Sequence, residues 1–88
     1  MTTVKFKQDC IEIKGHSNYS TLGKDIVCSS ISTATMFYVN AEELTYKQNN
    51  GYISIDTSKA SKHNTRAYRD ILEHLAKEYP EHITCIEV

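Results

Sequence analysis

The sequence predicts an α+β domain in the order ββαββαβ, one sheet with two helices packed against it. Two kinds of periodicity carry that expectation. Five short runs alternate apolar and polar residues, as a strand with one buried face does, and two longer runs repeat apolar residues every three or four positions, as a helix does. A length of 88 residues supports one modest core and leaves little room for a second. The expected unit is therefore a single small domain spanning residues 1–88.

In the opening run TVKFKQ, Val4 and Phe6 alternate with Lys5 and Lys7, and in CIEIKG, Ile11 and Ile13 alternate with polar residues. Only Gln8 and Asp9 separate the two runs, a link that favours an antiparallel hairpin. HSNYSTLG follows over residues 16–23. Its Ser, Asn, Thr and Gly suit a loop, and it is longer than the ~4–6 residues usual for a connection. Val27, Ile31, Ala34, Tyr38 and Ala41 then lay an apolar stripe along a helix, with Asp25 as its expected N-cap. ELTYKQ and GYISIDT read as two more strands around an Asn-Asn-Gly turn, where Asn-Gly supplies the positive φ angles of a tight hairpin. Tyr68, Ile71, Leu72, Leu75, Ala76 and Tyr79 share one face of a second helix, which Pro80 stops. HITCIEV closes the chain as the last strand.

Composition narrows the function classes. Lys and Arg number 10 against 11 Asp and Glu, a formal net charge of −1, so no summed positive field draws a phosphate backbone and direct nucleic-acid binding is not expected. The longest apolar runs, such as DIVC and TMFYV, fall far short of the ~20 residues that span a bilayer, and no basic leader with an apolar segment precedes the fold. A cytoplasmic protein without membrane attachment is expected. Three cysteines, Cys10, Cys28 and Cys85, are an odd number with no CxxC pair, which argues against a disulfide framework, a dithiol redox site and a structural zinc. His63, His74 and His82 lack ligand spacing to any cysteine or carboxylate and read as surface residues. No metal and no cofactor are expected.

The chemistry concentrates between Gly15 and Ser32. With Asp25 as N-cap, Cys28 is the third helical residue, close to main-chain N–H groups that have no partner inside the helix. Those groups and the helix dipole lower a thiol pKa and can hold an oxyanion. His16 stands at the mouth of the second strand, and the loop between is long enough for imidazole and thiol to meet. If they meet, the imidazole takes the thiol proton and returns one to a leaving amine. Gly15 permits a close backbone approach. Each residue has a plainer reading: Cys28 as a buried core residue, His16 as a solvated residue at a strand end, Asp25 as a cap rather than a carboxylate partner of the imidazole. Ser32, one turn after Cys28, bonds either within the site or back to the main chain. Cys10 and Cys85 lie within strand patterns and read as structural.

Gly15-His16 followed by a loop, then Gly23-Lys24-Asp25-Ile26-Val27-Cys28 and a serine at 32, resembles the ribosomal-processing cysteine protease family (Prp), and the closing LAKEYPEHITCIEV is similar as well. The resemblance covers essentially the whole chain. It implies a small cytoplasmic endopeptidase that removes the N-terminal extension of ribosomal protein twenty-seven of the large subunit, cutting after an aromatic-containing motif. His16 resembles the family's catalytic histidine and Cys28 its nucleophile, while Gly15, Asp25 and Ser32 match supporting positions. The family also implies a homodimer and a mobile loop, here Ser17 through Lys24, that orders on substrate. Ser17 stands where relatives commonly have Ala, and Ser29-Ser30 where they commonly have two Ala, all small. Ser17, Tyr19, Leu22 and Gly23 form the expected substrate loop, with Tyr19 and Leu22 either lining a pocket for an aromatic side chain or packing back on the core. The competing functions are a non-catalytic module that binds a ribosomal or peptide partner with Cys28 merely buried, and a thiol redox protein in which Cys10 or Cys85 reaches Cys28 in space.

Overall fold

The computed structural model describes residues 1–15 and 22–88, with the backbone alone over 22–25. Its elements are β1 (Thr2–Phe6), β2 (Cys10–Lys14), α1 (Leu22–Glu42), β3 (Tyr46–Asn49), β4 (Tyr52–Asp56), α2 (Lys62–Glu78) and β5 (Ile83–Glu87), the expected ββαββαβ order. The five strands form one sheet in the order β3-β4-β2-β1-β5. β1 and β5 run parallel and the other neighbours antiparallel.

Strand alternation sorts the side chains onto two faces. Val4, Ile13 and Ile53 lie in one register row, Phe6, Ile11 and Ile55 in the next, and all six are buried under the helices. The opposite face carries the polar set: Lys5, Glu12, Ser54 and Lys47 line up across the sheet. There Glu12 pairs with Lys7 at 3.1 Å and accepts a 2.7 Å bond from the Tyr52 hydroxyl. These bonds, the one from Tyr52 foremost, hold the Glu12 carboxyl below its usual pKa.

Several element details differ from the sequence expectation. α1 begins at Leu22, so Asp25 is its fourth residue and not its N-cap, and Leu22 and Gly23 belong to the helix rather than to a loop. Nothing in Leu22–Asp25 bars helix except the modest cost of Gly23, and the helix extends backward from the buried anchor of Val27 and Ile31. Ala41 and Ile71 are exposed. The inward stripe of α1 runs through Val27, Ile31, Thr35, Tyr38 and Val39 instead, because a 3.6-residue repeat carries Ala41 around to the solvent side. In the β3–β4 turn only Gly51 has positive φ, at 71°, and Asn50 does not. One left-handed residue suffices to reverse the chain there.

α1 ends in a Schellman motif. The Leu44 amide donates to Val39 O at 3.0 Å, the Glu43 amide donates to Asn40 O at 3.3 Å, and Glu43 itself takes φ 52°. α2 then returns antiparallel to α1. The Tyr38 and Tyr68 rings stack with centroids 4.4 Å apart, and the Glu42 carboxylate accepts from the Ser61 amide at 2.7 Å and from the Ser61 hydroxyl at 2.9 Å, and also pairs with the Asn64 side chain. Ser61 caps α2 by accepting from the Asn64 amide at 3.2 Å. Tyr79 closes α2 one residue before Pro80.

Candidate active site

The chain leaves β2 through Gly15, whose conformation is dictated by its neighbours. Its amide donates to Gly51 O at 2.8 Å and its φ is +81°. A Cβ built there stands 2.5 Å from the Met1 carbonyl oxygen. Only glycine accepts both the left-handed backbone and that approach. Three chain segments thus meet at one end of the sheet: the β2 exit, the β3–β4 turn and the N-terminus.

Cys28 lies on the second turn of α1, between Val27 at 1% and Ile31 at 0% exposure, and is itself 8% exposed with a free thiol. Because α1 starts at Leu22, Cys28 is the seventh helical residue and not the third. At ~1.5 Å per residue the sulfur's turn sits about 9 Å along the axis from the helix start, and the amides of the first turn, the ones without intrahelical partners, belong to Leu22, Gly23, Lys24 and Asp25. The dipole decays within that first turn. The expected placement of Cys28 on the first turn, beside those amides, is therefore corrected by the helix boundary. Ser32, half-buried, follows one turn after Cys28.

The other two thiols have structural surroundings. Cys10 lies 3.3 Å from the Ser54 hydroxyl on the polar sheet face, and Cys85 donates to Leu72 O at 3.6 Å beneath α2. Burial first, and the Glu73 charge second, push the Cys85 thiol up to about 11, so it is a poor nucleophile near neutrality. His63 and His74 are exposed and His82 half-buried, as expected of surface residues. His16, Ser17 and Tyr19 lie outside the described residues, as do the side chains of Leu22 and Asp25, while Gly23 is described by its backbone in α1.

Sequence reasoning passed over the groups that hold α1 at its place. Thr35, fully buried, hydrogen-bonds the Tyr68 hydroxyl at 2.7 Å, and the Tyr38 hydroxyl bonds Thr65 at 2.6 Å. Together with the Glu42 clamp these contacts tie the helix that carries Cys28 to α2. The signal was present: Thr35 continues the four-residue step of Val27 and Ile31.

A family model described as cysteine protease Prp matches residues 1–84. Among solved structures, SMU.848 from Streptococcus mutans superposes with a TM-score of 0.80 at 26% identity, over 99% of this chain and 91% of that one. The Staphylococcus aureus ribosomal processing protease Prp in complex with a substrate peptide is similar at TM-score 0.83 and 16% identity, over 99% and 97% of the two chains. The same protease with a covalently linked product peptide gives 0.81 at 23% identity over the full length of both. A search of curated proteins found no match. The match over nearly the whole sequence, on a fold that the solved structures share, places this chain in the cysteine protease Prp family.

Proposed function

We propose that this cysteine protease removes the N-terminal extension of the precursor of large-subunit ribosomal protein twenty-seven, acting as a single domain over residues 1–88. In this reading Cys28 is the nucleophile and His16 the base and then the acid. The Cys28 sulfur attacks the scissile carbonyl and forms a thioester. The proton His16 has taken passes to the leaving amine, and water, deprotonated by His16, hydrolyses the acyl-enzyme. His16 takes the Cys28 proton as the sulfur attacks. Gly15 sets the backbone entry to His16, Asp25 orients the imidazole, and Ser32 supports the Cys28 turn. Ser17, Tyr19, Leu22 and Gly23 face the substrate.

The observation that carries this reading is the family match over residues 1–84, and the choice of Cys28 rests on the resemblance of the Gly15–Ser32 stretch. No cofactor enters the scheme. The reading also includes a homodimer, a cytoplasmic location and no direct nucleic-acid contact; no helix among the described residues is long and apolar enough to cross a membrane.

The test incubates wild type, Cys28→Ala and His16→Ala with a peptide carrying the extension and follows cleavage by mass spectrometry. A single cut by wild type, absent in Cys28→Ala and strongly slowed in His16→Ala, is expected. Full activity in Cys28→Ala overturns the nucleophile. A peptide bound but uncut by wild type points to a non-catalytic binding module.

A further inference from the structure

In the reading above the nucleophile and the base belong to different elements: Cys28 stands on α1, and His16 follows the end of β2. Their meeting depends on how α1 is set against the sheet. Seven residues on from Cys28, Thr35 lies about 20° round the helix axis from it and ~10 Å along it, on the same inward line. Thr35 is fully buried, and its hydroxyl stands 2.7 Å from that of Tyr68, itself 3% exposed. One turn further the Tyr38 hydroxyl pairs with Thr65, and the Tyr38 and Tyr68 rings stack.

α2 is in turn fixed to the sheet by directional contacts. The Arg69 guanidinium lies 4.2 Å over the Phe6 ring of β1 and pairs with Glu87 of β5, and the Cys85 thiol of β5 donates to Leu72 O at 3.6 Å.

We infer that Thr35 is a positioning residue for the protease reaction: its bond to Tyr68 fixes the rotation of α1 about its own axis and so the bearing of the Cys28 sulfur. The inference rests on the reading of Cys28 as nucleophile. Val27, Ile31 and Val39 bury α1 without direction, since apolar burial follows area and tolerates a small turn of the helix. A hydrogen bond weakens steeply once its angle and length depart from their optimum. Stability alone does not call for the pair. Two hydroxyls that satisfy each other in a core add little over two apolar groups of the same shape, so what the Thr35–Tyr68 bond adds is one defined geometry.

Cleavage of the extension peptide by the full chain tests the role, with kcat and KM separated and every protein held well below its melting temperature. Thr35→Val and Tyr68→Phe are each expected to lower kcat at least ~10-fold, because a displaced nucleophile reacts slowly, while KM stays within about two-fold. Thr35→Ser keeps the hydroxyl and holds kcat near wild type. The double variant of Thr35→Val and Tyr68→Phe separates geometry from stability. With no orphaned hydroxyl left it melts no lower than the weaker single variant, yet its kcat stays as low as theirs. A double variant whose kcat recovers overturns the positioning role, as do folded single variants with wild-type kcat. Cys28→Ala is run beside them. Full activity in Cys28→Ala, or a wild type that leaves the peptide uncut, overturns the nucleophile reading and the positioning role with it. An inactive Cys28→Ala beside a fully active double variant overturns the positioning role alone.

Discussion

At the scale of single residues, the three cysteines divide by surroundings rather than by type. Burial beneath α2 pushes the Cys85 thiol up to about 11. In a variant that keeps Cys85 as the sole thiol, iodoacetamide labelling is expected to be negligible at pH 8 and to rise only as the pH nears that value. The same shift has a thermodynamic sign. The folded chain holds the Cys85 proton more tightly than the unfolded chain, whose thiol has the ordinary value of 9.0. The stability it contributes is therefore complete below pH 9 and is lost as the pH climbs through the folded value. Tyr68, raised mainly by burial, acts in the same direction, so thermal melts are expected to show the midpoint falling above pH 9. Gly15 is equally specific. Gly15→Ala forces a left-handed alanine against the Met1 carbonyl, an expected cost of roughly 2–4 kcal/mol in denaturant unfolding.

At the scale of elements, the two ends of the inter-helix connection are set by different devices. The C-terminus of α1 uses Glu43 at φ 52° where glycine is usual. Glu43→Gly keeps both amide bonds of the Schellman motif and removes the strain, so a gain of up to about 1 kcal/mol is expected in urea unfolding. The N-terminus of α2 relies on Ser61, which both caps the helix and reaches Glu42. Ser61→Ala is expected to cost about 1 kcal/mol. Glu42 is lowered in pKa by its Ser61 and Asn64 bonds. That contribution is present above the ordinary glutamate range and is lost as the pH falls through the folded value.

At the scale of the molecule, the two helices are locked to each other by hydroxyl pairs beneath and beside a stacked tyrosine pair. Thr35→Val and Tyr68→Phe each leave a buried hydroxyl or its site without its partner, and each is expected to cost ~1–3 kcal/mol, with the double variant costing less than the sum. A double-mutant cycle on the melting curves measures that coupling. β5 closes the sheet beside β1 in parallel, bringing the fully buried Ile83 next to Thr2. Deletion of residues 83–88 strips β1 of one neighbour and opens the core, and loss of cooperative unfolding is the expected result.

The sequence by itself determined the element types and their order, because period-2 and period-3.6 patterns, Asn-Gly and Pro80 are local signals that need no knowledge of the rest of the chain. Its Gly15–Ser32 motif also led to the protease family that the match over residues 1–84 established. Tertiary structure decided what depends on partners distant in sequence. The strand order and the parallel β1–β5 pairing follow from which buried faces meet, and several orders accept the same string of elements. The start of α1 at Leu22 displaced Asp25 from the cap and Cys28 from the first turn, since a helix anchored by Val27 and Ile31 extends wherever its backbone permits. Thr35 and Tyr68 are polar in sequence and buried in the fold because each satisfies the other. Gly15 looked merely permissive and proved obligatory, for the carbonyl that excludes a side chain there comes from Met1, brought alongside by the β1–β2 pairing.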